Sequence, residues 1–254
     1  MGILDLFSLE GKTSYVTGGA RGIGRSIAFG LAEAGAKVAV VDIDGREAEK
    51  TAHQLLESGY ESFAIHADVT KKDEVLHMVE KVVLRWGRLD IGVNNAGKCL
   101  NAPGEEMGED QWDDVVNLNL KGVFLSCQAA GRVMISQKAG SIINIASMSA
   151  RIVNHPQPQV AYNASKAGVI MVTRSLAAEW APHGVRVNSI SPGYTATELT
   201  LRMGDLFPKW VEMTPMRRLA QPDEMKGAAV YLASEASRFV TGHDLVIDGG
   251  FTLW

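Results

Sequence analysis

Tyr162 and Lys166 stand four residues apart in Ala161-Tyr-Asn-Ala-Ser-Lys-Ala167. On a helix, positions i and i+4 share one face, so a phenol and an ammonium at this spacing meet a single ligand. A free phenol titrates near pH ~10. A neighbouring ammonium favours the phenolate and brings it toward working pH, as a general acid/base requires. Upstream lies a glycine-rich turn, Thr17-Gly-Gly-Ala-Arg-Gly-Ile-Gly24. Its glycines allow close backbone approach, and a helix opening there draws a pyrophosphate to its N-terminus. The spacing Gly18-x-x-x-Gly22-x-Gly24 differs from the common GxGxxG fingerprint. Asp42 closes the next apolar run, where a carboxylate accepts from both hydroxyls of a nucleotide ribose. The chemistry implied is dinucleotide binding with proton transfer beside it.

The elements that position these groups alternate along the chain. Thr13–Thr17, Lys37–Val41, Phe63–Ala67, Ile91–Asn94, Ser141–Ala146, Val185–Ile190 and Leu245–Ile247 read as strands. Several are continuous apolar runs, as expected where both faces of a sheet are covered. Ile23–Ala34, Arg46–Glu57, Lys72–Arg85, Gln111–Ser136, Ala161–Ala181 and Pro222–Ala233 read as helices. Such alternation predicts right-handed crossovers and a doubly wound parallel α/β sheet in one domain, residues 1–254. The stretch 193–215 carries no strand pattern and is the expected lid over the site.

Composition sets outer bounds. The 254 residues are 46% hydrophobic and 21% charged, ordinary globular values. A net charge of −4 with dispersed signs argues against a nucleic-acid surface. No apolar run approaches the roughly 20 residues of a membrane span, and no signal peptide is evident. Two cysteines without a CxxC suit a reducing cytoplasm. Six scattered histidines lack ligand spacing, so no catalytic metal is expected.

Over nearly its whole length the chain resembles the short-chain dehydrogenase/reductase family. The family's TGxxxGxG matches Thr17–Gly24, its Asn-Asn-Ala-Gly matches Asn94-Asn95-Ala96-Gly97, and its YxxxK matches Tyr162–Lys166. Asn144-Ile-Ala-Ser147 matches the serine motif, and Pro192-Gly193 with Thr195 and Thr197 the Pro-Gly motif. Asp68-Val69 matches the pair that receives adenine. The resemblance implies a Rossmann-type seven-stranded sheet, usually in a homotetramer. It also implies roles. Tyr162 exchanges a proton with the substrate oxygen, and Lys166 lowers its pKa and bonds the nicotinamide ribose. Asn119 supplies a main-chain carbonyl to a water in the proton relay. Gly18, Arg21, Gly22, Ile23, Gly24, Asp42, Ile43, Asp68, Val69, Asn95, Ala96, Gly97, Pro192, Gly193, Thr195 and Thr197 line the cofactor.

Two serines compete for the remaining role. Counting back from the tyrosine picks Ser149, whereas counting from the strand picks Ser147. Insertions are tolerated in loops far better than register slips in a central strand, so Ser147 is the expected donor to the substrate oxygen. Ser149 is then a secondary substrate contact or a loop-capping hydroxyl. The lengthened loop Arg151–Val160 resembles the family branch acting on sugar alcohols and ketoses. Asn154, His155, Gln157 and Gln159 offer the polar partners that a polyhydroxylated substrate needs, and a polar exposed loop is the plainer alternative.

For the cofactor, two residues point in opposite directions. Asp42 and the extra phosphate of NADP, near 5 Å apart at an effective dielectric of about 20, repel by roughly 3 kcal/mol per unit charge. Arg21 occupies a position where some NADP-preferring relatives carry a basic residue, and equally reads as a solvated turn arginine. NAD is expected over NADP. The function expected is polyol to ketose oxidation or its reverse. The alternatives are a 3-oxoacyl thioester or other carbonyl reductase, and a dinucleotide-sensing regulator without catalysis. The C-terminal Trp254 is expected to dock at a subunit interface, since an indole buries 150–250 Å² when a surface receives it.

Overall fold

The computed structural model describes residues 2–201 and 203–253, with Leu199 as main chain only, so the expectation for Trp254 lies outside the described residues. Seven parallel strands form one sheet: β1 (Thr13–Thr17), β2 (Lys37–Asp42), β3 (Ser62–His66), β4 (Ile91–Asn94), β5 (Gly140–Ile145), β6 (Val185–Pro192) and β7 (Asp244–Ile247). Their order is β3-β2-β1-β4-β5-β6-β7. Chain direction across the sheet reverses between β1 and β4, and ligands in such sheets bind outside the strand carboxyl ends at that switch point. The strands match the sequence expectation within one or two residues.

Helices cover both faces: α1 (Gly22–Glu33), α2 (Gly45–Glu57), α3 (Lys72–Trp86), α4 (Glu109–Val116), α5 (Gly122–Gln137), α6 (Val160–Trp180), α7 (Glu198–Leu201), α8 (Phe207–Met213) and α9 (Lys226–Ala233). In β2, Ala39 and Val41 pack with α3, α5 and α6, while Val38 and Val40 pack with α1, α2 and α9. A period-two alternation that is apolar on both sides gives the continuous hydrophobic run seen in the sequence.

One expectation needs correction. Gln111–Ser136 is not a single helix, because Asn117–Lys121 winds as a π-helical turn between α4 and α5. Apolar periodicity does not distinguish π from α winding over five residues, and π turns concentrate at functional sites. The core also carries a polar thread. Tyr15 donates to Asn94 Oδ1 (2.9 Å), Asn94 donates to Asn144 Oδ1 (2.8 Å), and Asn144 donates to Thr173 Oγ1 (2.9 Å). All four side chains are buried, and their mutual bonds offset the desolvation of amides and hydroxyls.

Among the described residues no helix is long and apolar enough to cross a membrane. Among the described residues of 193–215 lie α7, α8 and a short 3-10 turn, and no strand beyond the end of an isolated bridge from Thr195 to Ala220.

Candidate active site

A cleft of about 530 Å³ opens over the carboxyl ends of β1, β2, β4, β5 and β6. Its size lies within the roughly 300–1,000 Å³ typical of ligand sites. At one end the wall is largely main chain. Gly22 has φ +54°, a left-handed conformation that a side chain would strain. A Cβ on Gly24 would lie 2.1 Å from the Gly18 carbonyl oxygen, so the first helix turn sits directly against the glycine loop. Asn95 fastens that loop from the far side, donating its amide to the Thr17 and Gly18 carbonyls at 3.0 Å each. The Thr17 hydroxyl accepts in turn from the Asn95 N–H at 3.0 Å.

Asp42 ends β2 and faces the cleft. Its carboxylate accepts from the Ala20 N–H (3.2 Å) and the Asp44 N–H (3.0 Å), which fix it at the rim. Arg21 pairs with Asp44 at 2.8 Å and lies 3.8 Å from Glu47. Asp44 also caps α2 by accepting from the Glu47 N–H. Asp68 accepts from both the N–H and hydroxyl of Thr70, at 2.9 and 2.7 Å, beside Val69 on the same wall. Ile23, Ile43, Ala96, Gly97, Pro192, Gly193, Thr195 and Thr197 also line the cleft. A glycine-built cradle with a carboxylate at the strand end fits a dinucleotide.

At the middle of the cleft, Tyr162 and Lys166 project from the first two turns of α6. The Lys166 ammonium donates to the Ile145 carbonyl at 2.7 Å and lies 5.7 Å from the Tyr162 ring centre. Burial brings the lysine down to about 8 and pushes the Tyr162 phenol up to about 12, with the Ser147 hydroxyl opposing the latter shift. In the polypeptide alone, burial thus works against the lowering expected from Lys166. Ser147 and Ser149 are both buried and both line the cleft. The Ser147 hydroxyl accepts from the Ser149 N–H at 3.1 Å, starting a 3-10 turn that presents both side chains together.

Asn119 and Gly24 do not line the cleft; they stand behind it. Asn119, in the π turn, accepts from the Lys98 N–H (2.9 Å) and donates to the Lys98 carbonyl (2.8 Å) and to Ser165 (3.1 Å). Its side chain thus clamps the segment after β4 to α6. A Cβ on Gly97 would lie 3.2 Å from the Asn119 amide oxygen and 3.5 Å from the Lys166 ammonium.

The other end of the cleft is made of side chains. Asn154, Gln157 and Gln159 all line it and are each more than nine-tenths buried. His155 is exposed and does not line the cleft. Sequence reasoning missed Cys99, Tyr194, Met203 and Trp210, which line this end. Tyr194 directly follows Pro192-Gly193, a position that the motif itself could have flagged. Its ring stacks on Trp210 (4.1 Å between centres, 10° between planes), and Phe251 meets its edge at 5.3 Å. Burial pushes the Cys99 thiol up to about 11, with Lys166 opposing, so it is a poor nucleophile.

The comparisons with known proteins agree with this architecture. Residues 18–252 match a protein-family model described as enoyl-(acyl carrier protein) reductase. The chain is 43% identical to D-threitol dehydrogenase of Mycolicibacterium smegmatis, covering 97% of this chain and 95% of that one. A solved short-chain type dehydrogenase/reductase from Mycobacterium marinum superposes with a TM-score of 0.97 at 41% identity, covering 99% of both chains. A gluconate 5-dehydrogenase from Burkholderia cenocepacia, solved with NADP and tartrate, gives 0.95 at 37% identity over the full length of both. The chain belongs to the short-chain dehydrogenase/reductase family, and its cleft is that of an oxidoreductase using a nicotinamide dinucleotide.

Proposed function

We propose that the protein transfers hydride between NAD and a secondary alcohol of a small polyhydroxylated substrate, interconverting polyol and ketose. The carrying observation is one cleft in which a half-buried Tyr162 meets buried Lys166 and Ser147, between a glycine-built end and an amide-lined end. The bound dinucleotide supplies the hydride acceptor or donor at its nicotinamide ring. In the reduction, Tyr162 gives its proton to the substrate oxygen as the alcohol forms; in the oxidation its deprotonated form, which Lys166 and the positive ring of a bound NAD+ would favour, takes the alcohol proton. Ser147 donates to the same substrate oxygen and stabilises the charge that develops there. Lys166, anchored on Ile145, sets a positive charge beside the phenol and reaches the ribose. Asn119 positions this floor through Lys98 and Ser165, with its carbonyl as the water site of the proton relay.

Asp42 at the ribose end supports NAD, because a 2′-phosphate there would face a fixed carboxylate. Arg21 does not offset this charge, since it is held by Asp44. The NADP bound to the gluconate 5-dehydrogenase relative is the observation on the other side. An acyl-chain substrate would desolvate Asn154, Gln157 and Gln159 against methylenes, a cost that a hydroxylated ligand avoids. That argument, with the D-threitol dehydrogenase relative, favours polyols over acyl thioesters. Residues 193–215 form the lid of a single 1–254 domain, assembled as a cytoplasmic homotetramer.

Absorbance at the nicotinamide band should be followed with tetritols, pentitols, hexitols, ketoses and an acyl thioester, each with NAD and NADP. The proposal expects turnover of a polyol or ketose with NAD. A higher kcat/KM on the acyl thioester, or with NADP, would overturn the corresponding half.

A further inference from the structure

The amide-lined end of the cleft has a direction built into its hydrogen bonds. An indole N–H donates and never accepts. Trp210, almost fully buried on α8, points its N–H at the Gln157 side-chain oxygen, 3.4 Å away. Gln157 is thereby turned so that its NH2 faces Tyr194, donating to the phenolic oxygen at 2.7 Å. Asn154 supplies a second donor to the same oxygen at 3.0 Å, because its own oxygen accepts from Gln159, also at 3.0 Å. Gln159 gives its other hydrogen to Asn163 at 2.9 Å.

Two donors saturate the acceptor capacity of the Tyr194 oxygen. Its proton is left with no protein acceptor among the described residues, and the residue lines the cleft. The ring cannot turn away, being stacked on Trp210 and edged by Phe251. We propose that Tyr194 is a specificity-determining donor: its phenolic proton is presented to a substrate oxygen other than the one that reacts. The acid/base cluster then handles one substrate oxygen, and Tyr194 requires a second. A substrate without that second oxygen leaves the proton unpaired in a partly dry site, the discrimination that polar pockets achieve best. This inference rests on the polyhydroxylated-substrate reading and adds the residue that enforces it. The same chain ties the loop before α6 to α8, so the donor is aimed only when those two segments are together.

The test is Tyr194→Phe, which keeps both ring contacts and removes the hydroxyl, and with it the acceptor of Asn154 and Gln157 for both probes alike. The probes are threitol, which carries several oxygens, and butan-2-ol, which carries one. The expected result is a loss of about ten- to a hundredfold in kcat/KM on threitol, carried mainly by KM, with an unchanged or improved kcat/KM on butan-2-ol and under threefold change in NAD affinity. Gln157→Glu is nearly isosteric, yet its carboxylate accepts from both Trp210 and the Tyr194 hydroxyl, which draws the proton away from the cleft. It should reproduce the threitol loss, and the double variant should lose no more than either single one. Should Gln157→Glu fail to fold, the Tyr194→Phe arms decide alone. Equal losses on both probes, or an unchanged threitol KM, would overturn the role of Tyr194 while leaving polyol turnover standing. A wild-type enzyme active on butan-2-ol and on no polyol would instead sink the substrate reading, and this inference with it.

Discussion

At the nucleotide end of the cleft, the wall is main chain held at near-contact distance, with Gly24 against Gly18 and Asn95 stitched to Thr17 and Gly18. At the substrate end, five side chains, Asn154, Gln157, Gln159, Tyr194 and Trp210, make the surface by bonding one another, with Asn163 bonded to Gln159 behind them. A main-chain wall tolerates almost no added volume, and beyond glycine its dependence on side-chain identity falls on few residues, the Asn95 amide that fastens it and the Asp42 carboxylate at its rim. A side-chain wall reverses this: it accepts shape-preserving changes and is sensitive to which atom donates. The first design suits a cofactor common to many enzymes, and the second suits the group that differs among them.

The contrast breaks first at the residue between the two ends. Tyr162→Phe should lower kcat by 10²–10⁴-fold, the usual span for a general acid/base, with NAD affinity changed less than threefold. A variant retaining more than about a tenth of kcat would remove Tyr162 from the proton path. The same variant allows a spectroscopic check. Because burial raises the phenol to about 12, a wild-type-minus-variant absorbance titration without NAD should show no phenolate below pH ~10. The sign follows from desolvation, which disfavours the charged form; a step near neutrality would mean that Lys166 outweighs burial.

Asp42→Ala should shift the ratio of kcat/KM for NAD over NADP by on the order of a hundredfold toward NADP, at ~1.4 kcal/mol per tenfold. A wild-type protein that already prefers NADP would overturn the assignment and return attention to Arg21. Gly24→Ala probes the intolerance of the main-chain wall to volume. A methyl 2.1 Å from a carbonyl oxygen forces the helix off the loop, so NAD affinity should fall at least about tenfold, or stability by about 1–3 kcal/mol. Calorimetric titration and thermal melting check this pair, and no change in either would mean that the loop yields freely. Ser149→Ala sits at the other extreme. Its contact with Gln159 is 3.4 Å long, so polyol KM should rise only a few-fold. A loss in kcat as large as that of Ser147→Ala would exchange the roles of the two serines.

This contrast also explains what the sequence disclosed. Glycine spacing, a strand-terminal aspartate and the i, i+4 pair are local patterns with a direct geometric meaning, and the structure brings Gly22, Asp42, Tyr162 and Lys166 to one cleft. The alternation of apolar runs likewise carried the sheet. The substrate end depends on contacts across the fold: Trp210 and Gln157 are 53 positions apart, and no local pattern records that the indole aims the amide. Polarity in the loop 151–160 identified Asn154, Gln157 and Gln159 but also His155, which faces solvent, because composition does not say which way a loop folds. The π turn around Asn119 was hidden because five residues are too few for apolar spacing to separate π from α winding.

The anchoring of Lys166 has a consequence for behaviour on heating. Its ammonium is hooked to the carbonyl of Ile145, the last residue of β5, a strand paired on both sides by β4 and β6. Interior strands open only with the whole molecule, whereas surface segments open at far lower free energy. The groups that aim Tyr194 belong to such segments, the loop before α6 and the helix α8. Warming should therefore blur which alcohols are accepted before it stops their oxidation, so that fidelity, not turnover, marks the upper working temperature of the enzyme.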